Sequence, residues 1–338
     1  MLQQQTQPAQ APVRSSIPAF LARLDARAAL RRAYATNPAL TLLGVLMLAT
    51  LVVCLIGLLA DPRVITGAPA WLKPTKFAIS IALYSFTLLW ILSFVEGRRF
   101  WVRMISLVSM LAILAEMIGI ITQVLRGTTS HFNVGTAFDD ALFSTMGLLI
   151  IVVWAMNLVA AILLLVQRLP DPAVAWSLRL ALLLTLVGAA LGVLMTRPTS
   201  AQLDAMRADQ MVSIVGAHSV GVADGGPGLP VTGWSTTGGD LRIGHFLGLH
   251  ALQLLPFIGW LLTRRRMRNL GDRRRVALVW IAALSYLGLI ALVTWQALRG
   301  QPLIAPDATT LAAAGAWLGA TILAIGGVIA LGRGPRYR

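Results

Sequence analysis

The chain predicts an all-α, polytopic membrane helix bundle with about eight transmembrane helices and both termini cytoplasmic. Three observations carry that fold class. Eight uncharged or nearly uncharged stretches each reach the roughly 17 to 25 residues that a helix needs to cross a bilayer. Hydrophobic residues make up 57% of the sequence and charged ones 12%, a balance far from that of a water-exposed domain. The period-two alternation that would mark barrel strands is absent.

Residues 1–38 are rich in Gln, Pro and Arg and lack the continuous apolar segment of a cleavable signal. They read as a cytoplasmic tail with a short amphipathic helix around Phe20–Tyr34 on the membrane surface, or as a solvated linker. A transmembrane domain over 39–332 follows. Its spans are Ala39–Ala60, Phe77–Val95, Met104–Leu125, Ala141–Val166, Leu180–Thr196, Ile243–Leu262, Val276–Leu298 and Thr310–Gly332, with a basic cytoplasmic tail at 333–338.

The formal net charge is +15, and its distribution sets the orientation. With the N-terminal tail inside, 20 of the 28 Lys and Arg residues fall on the cytoplasmic side, against four acids. That asymmetry satisfies the positive-inside rule. The basic excess therefore speaks of topology and of anionic lipids at the cytoplasmic face of the bilayer, not of nucleic acid. Cys54, the only cysteine, lies within the first span, so no intramolecular disulfide and no thiolate cluster for a metal can form.

This topology puts two polar loops outside. Loop 126–140 reads RGTTSHFNVGTAFDD; loop 197–241 is long and Gly-rich and ends in GWSTTGGDLR. Within the longer loop Ala201–Met211 is expected to form a short helix, and the Gly and Pro density of 216–234 works against regular structure.

Glu116 interrupts the apolar third span and, with His250, is the only ionisable side chain in the central part of any span. A charge at that depth costs several kcal/mol and ordinarily faces a bundle interior or a wet cavity. At about 1.5 Å of rise per residue, Glu116 and His250 both sit roughly 12 Å below the outer interface, so the two are expected to meet. Ser106, Ser109, Glu116 and Gln123 form one stripe on the third span, and Lys76, Ser80, Tyr84 and Thr87 one on the second. His250 and Gln253 share a face of the sixth span above Pro256.

The expected catalytic group is therefore Glu116, His250, His131 and Lys76, with Gln253, Arg126, Asn133, Trp234, Asp240 and Tyr84 as substrate contacts. A structural ion pair between Lys76 and Glu116 is the alternative, though burial in the membrane favours a functional carboxylate, and His250 could serve only to join helices. A divalent metal such as zinc would take His250, His131 and Glu116, with His245 as the alternative to His250; five residues place the two rings about 140° apart, so only one can join a compact centre. His218, within the long loop, is expected to be solvated. Trp71, Trp101, Trp176, Trp234 and Trp295 fall at span ends, as an interfacial belt does.

No GxSxG, HExxH, Walker or Rossmann pattern is present. The strings WLKPTKF at Trp71–Phe77, TTSHFN at Thr128–Asn133, and GWSTTGGDLR and HFLGLHALQLLP within Gly233–Pro256 resemble those of a group of bacterial multi-pass membrane proteins of uncharacterised activity. That resemblance implies a bacterial inner membrane and carries no activity across. Three classes of function follow: first a membrane-embedded, metal-dependent enzyme acting on a lipid-like substrate, which is the leading expectation, then a transporter or ligand sensor with a proton-linked carboxylate, and last a haem or quinone redox protein. The absence of an inverted repeat counts against common transporter folds. Oligomeric state is left open.

Overall fold

The computed structural model describes Asp25–Ala330 apart from Arg266. The start of the expected surface helix, the basic tail at 333–338 and the end of the last expected span lie outside the described residues. Eight helices are long and apolar enough to cross a membrane. They are Pro38–Ala60, Leu72–Leu92, Arg99–Leu125, Ala137–Val166, Pro172–Leu191, Arg242–Leu262, Asp272–Leu298 and Ala308–Ala330, called here the first to eighth spans. The chain is an all-α multi-pass membrane protein.

Local chemistry explains where the helices start. A helix at Ala26–Thr36 precedes the first span, capped by the Asp25 carboxylate, which accepts from the amides of Arg27 and Ala28. Asn37 ends it and caps the next: its side-chain oxygen accepts from Leu40 N at 3.1 Å, and Pro38 fills the first helical position, where no amide hydrogen is needed. The fifth span repeats the device with Asp171 and Pro172. The spans begin earlier than apolarity alone indicates, and several of them take in charged residues before their apolar stretch. The second incorporates Lys73 and Lys76, and the fifth incorporates Trp176, Ser177 and Arg179. Arg179 is tolerated because its guanidinium donates to Leu164 O and Gln167 O, the free carbonyls at the end of the fourth span.

In the core, Leu88, Leu164, Leu178, Leu182 and Leu252 interlock the second, fourth, fifth and sixth spans. The fifth and sixth approach so closely at Gly188 and Gly248 that a Cβ on either would overlap the other's backbone. The eighth span lies along the seventh, where Trp317 Nε1 donates to Ser285 O at 2.8 Å and the hydroxyls of Ser285 and Thr321 meet at 2.8 Å. Only Thr310 of the eighth is buried.

The two polar loops leave the same end of the bundle, and they are tied to each other. Val134 N donates to Ser213 O and Val215 N to Phe132 O, so the short loop pairs with the long one. The long loop contains the expected helix, shortened to Ser200–Arg207 and closed by a capping box between Thr199 and Gln202. It also contains an antiparallel pair, Ser219–Val220 with Gly239–Asp240, where no regular structure was expected in its first half. Asp240 makes that possible: it is fully buried and accepts from Ser235 N, from Arg242 N and from the Arg242 guanidinium.

Candidate acid-base site

Glu116 points into the bundle, 2% exposed, from the third span. The short loop lays His131 over it, with Nε2 3.6 Å from Glu116 Oε1. That separation is too long for a hydrogen bond and becomes an ion pair only when the imidazole is protonated. Glu116 Oε2 has no hydrogen-bond partner. On the other side of the imidazole, Nδ1 meets Ser130 Oγ at 3.1 Å, and the rings of Phe77, Phe132 and Phe143 wall it in at centroid distances of 6.1 to 6.2 Å.

The loop achieves this through one unusual residue. Phe132 adopts φ +65°, a left-handed conformation that costs a residue with a Cβ of the order of 1 kcal/mol or more. Its ring packs on His131 and, at 4.9 Å, on His218. His218 Nδ1 in turn meets Asp224 Oδ2 at 2.7 Å, while the amides of His218 and Ser219 also donate to that carboxylate. The expectation that His218 is solvated is corrected here. Gly216, Gly221 and Gly225, all at positive φ, fold the loop back so that His218 and Asp224 cap the site.

The electrostatics of the loop residues follow from this enclosure. Burial pushes the His131 imidazole well below its ordinary pKa, the neighbouring Lys73 and His218 push it the same way, and the Ser130 contact opposes them. His218 is also lowered, first by burial, against the opposing pull of Asp224. For Asp224, burial works upward, but the bond and charge of His218 and the two backbone amides outweigh it and hold the carboxyl below the usual range. Lys73, near the start of the second span, lies within coulombic range of Glu116 and of both histidines, with Nζ 6.0 Å from the centre of the Phe77 ring.

The expected site residues divide into three groups. Glu116 and His131 come together, with Lys73, Ser130, His218 and Asp224, which the sequence reading did not place in the site. His250 belongs elsewhere: Nδ1 meets Gln253 Oε1 at 3.1 Å, Gln253 reaches Thr87 Oγ1 at 3.4 Å, and Phe246 links the His250 ring to Trp234. The remainder are spent on structure. Lys76 Nζ donates to Thr232 O at 2.9 Å and anchors the long loop; Arg126 pairs with Asp139 at 3.1 Å; Asn133 bonds Thr128 Oγ1 and Gly135 N; Tyr84 bonds Asn157; Asp240 holds Arg242. His245 gives Nδ1 to a contact with Gly188 O at 2.8 Å, and its charge, unlike that of His250, is among those that act on His131.

Among the described residues no three His, Cys, Asp or Glu side chains are grouped so as to hold a metal ion. The expected set of His250, His131 and Glu116 is not assembled, because His250 faces Gln253 and Phe246. What is assembled is a carboxylate and an imidazole 3.6 Å apart, a second imidazole in contact with Asp224, and the Lys73 amine within coulombic range of both rings and of the carboxylate. A signal for Lys73 was present in the sequence: it precedes Lys76 by three residues and therefore shares its helical face. No family model, curated protein or solved structure matches the chain.

Proposed function

We propose that this multi-pass membrane protein is a proton-linked transporter or ligand sensor of a bacterial inner membrane, with Glu116 and His131 as its proton-exchanging pair on the extracytoplasmic side. One observation carries the reading: Glu116 is buried in the bundle and one of its two oxygens has no partner. A carboxylate oxygen in that environment takes a proton or a cationic donor, since leaving it bare costs more than either. His131 is the exchange partner, and the depressed affinity of its ring for a proton favours delivery to Glu116 over retention. Anionic lipids at the arginine-rich face fit the charge asymmetry.

Infrared difference spectroscopy of the purified protein across a pH titration tests this. A carboxyl band that grows on acidification and is missing in Glu116→Gln is expected. A titration without any Glu116-dependent band would make the carboxylate structural.

The His218–Asp224 contact favours a second reading, a membrane-embedded enzyme acting on a lipid-like substrate. Asp224 on Nδ1 leaves Nε2 of His218 as a general base, the arrangement that acid–base catalysts use. Turnover that collapses in Asp224→Asn while the Glu116 band persists would favour it over transport.

A further inference from the structure

The third span carries more than Glu116. Among the described residues, five buried side chains have a polar atom without a hydrogen-bond partner, and three of them, Ser109 Oγ, Glu116 Oε2 and Gln123 Oε1, lie on this one helix at intervals of seven residues. Seven residues is close to two turns, so all three share one face, and that face points inward: the residues are 0%, 2% and 1% exposed. Ordinary interhelical joining satisfies its polar atoms; a row of unsatisfied ones in hydrocarbon is what internal water or a moving proton satisfies.

The row is extended at both ends. Towards the arginine-rich end Ser106, also fully buried, accepts from Asn37 Nδ2 at 2.5 Å, where the first span begins. Ser109 stands beside the Tyr84 hydroxyl, outside hydrogen-bond geometry, and Tyr84 is bonded to Asn157. Towards the loop end Gln123 Nε2 donates to Asp139 Oδ1 at 2.7 Å, and Asp139 pairs with Arg126, whose side chain reaches solvent. From Ser106 to Gln123 the file covers about 25 Å at ~1.5 Å per residue, close to the ~30 Å hydrocarbon thickness of a bilayer. Two intervals of about 10 Å at the same rise interrupt it: between Glu116 and Gln123, where Gly119 and Ile120 are buried, and between Ser109 and Glu116, where Ala112 and Ile113 pack against Met47, Ala78, Ile81 and Ala82.

We propose that this face of the third span is a proton route across the membrane, with Glu116 as its central carrier and the Ala112–Ile113 layer as a hydrophobic gate that conducts only when wetted. The charged groups that bear on Glu116 are His131 from the short loop and Lys73 from the second span; Asp139 and Arg126 stand two turns away at the loop end. The proposal rests on Glu116 exchanging a proton and adds the path by which that proton leaves.

The test uses the full chain in liposomes with an internal pH dye and a potassium diffusion potential. Ala112→Ser and Ile113→Ser place a hydroxyl in the dry layer, and either is expected to speed proton entry about tenfold over wild type. Adding Glu116→Gln to the faster of the two should return the rate to that of protein-free liposomes. Two results overturn the route: no acceleration in either serine variant when both elute as monodisperse, folded protein, or an acceleration that survives Glu116→Gln. A persisting Glu116 infrared band with no flux would remove the route and leave the proton-exchanging pair; loss of the band would remove both.

Discussion

The third and eighth spans are both long and apolar enough to cross a membrane, yet one lies inside the bundle and the other at its edge. Half of the third is buried by neighbouring helices and none of the most apolar stretch of the eighth is. The third carries a serine, a glutamate and a glutamine in register on its inward face; the eighth carries Gly315, Gly319, Gly326 and Gly327, around which no other atom comes within 4 Å of a would-be Cβ. Apolarity thus places a helix in the membrane, whereas the few polar residues that interrupt it tell which side faces protein.

The sharpest way to break this contrast is to add the same bulk inside and outside. Gly188→Val, at the crossing of the fifth and sixth spans, has no room for its side chain and should cost about 3 kcal/mol or more and most of the folded yield. Gly319→Val on the eighth span should stay within about 0.5 kcal/mol. Thermal melts in detergent compare them directly, and equal losses would show that the eighth span is packed as tightly as the interior.

A second comparison uses acid. His131 and His218 refuse protons in the folded loops that they would accept in an unfolded chain, so folding stability falls as pH drops below about 6.5, by at most about 1.4 kcal/mol per pH unit for each ring. Asp224, held low by the His218 bond, loses its contribution only at still lower pH, in the same direction. Melting temperatures measured between neutral and mildly acidic pH should therefore slope downward, and the slope should flatten in a His131→Asn, His218→Asn double variant. A slope unchanged in that variant would place the pH sensitivity outside the loops.

The smallest effect belongs to the periphery. Trp317→Phe removes the indole donor to Ser285 O and should cost about 1 kcal/mol with Glu116 titration untouched. A shift of the Glu116 band in that variant would mean that the eighth span communicates with the site.

The eight spans and the inward stripe of Ser106, Ser109, Glu116 and Gln123 were legible because both depend on helical periodicity along one element. His131 was among the expected site residues, but that it and not His250 would be the one to reach Glu116 was not legible. Equal depth brought His250 forward, yet depth gives no azimuth between helices, and the sixth span turns His250 towards Gln253 and Phe246. His131 wins through a loop conformation, Phe132 in the left-handed region, that no periodic signal encodes. Lys73 escaped because charge at a helix start shortens the apolar window: the second span was read from Phe77 and begins at Leu72. His218 and Asp224 are six residues apart in a glycine-rich segment, where spacing alone carries no geometry.

Asn37 works as a pin for vertical registration. Its oxygen is committed to the amide of Leu40 and its nitrogen to Ser106, so it joins the start of the first span to one level of the third. A slip of the first span by a single residue is about 1.5 Å of travel and 100° of rotation, enough to break the second bond and strand the Asn37 amide nitrogen, while Ser106 keeps its bond to Val102 O. Apolar packing alone, as where Gly44 receives the Phe86 ring, tolerates sliding far better. The consequence falls on assembly. The first two spans can pair as soon as both are inserted, but the height of the first is settled only when the third arrives, and the mouth of the polar file is formed in that same step.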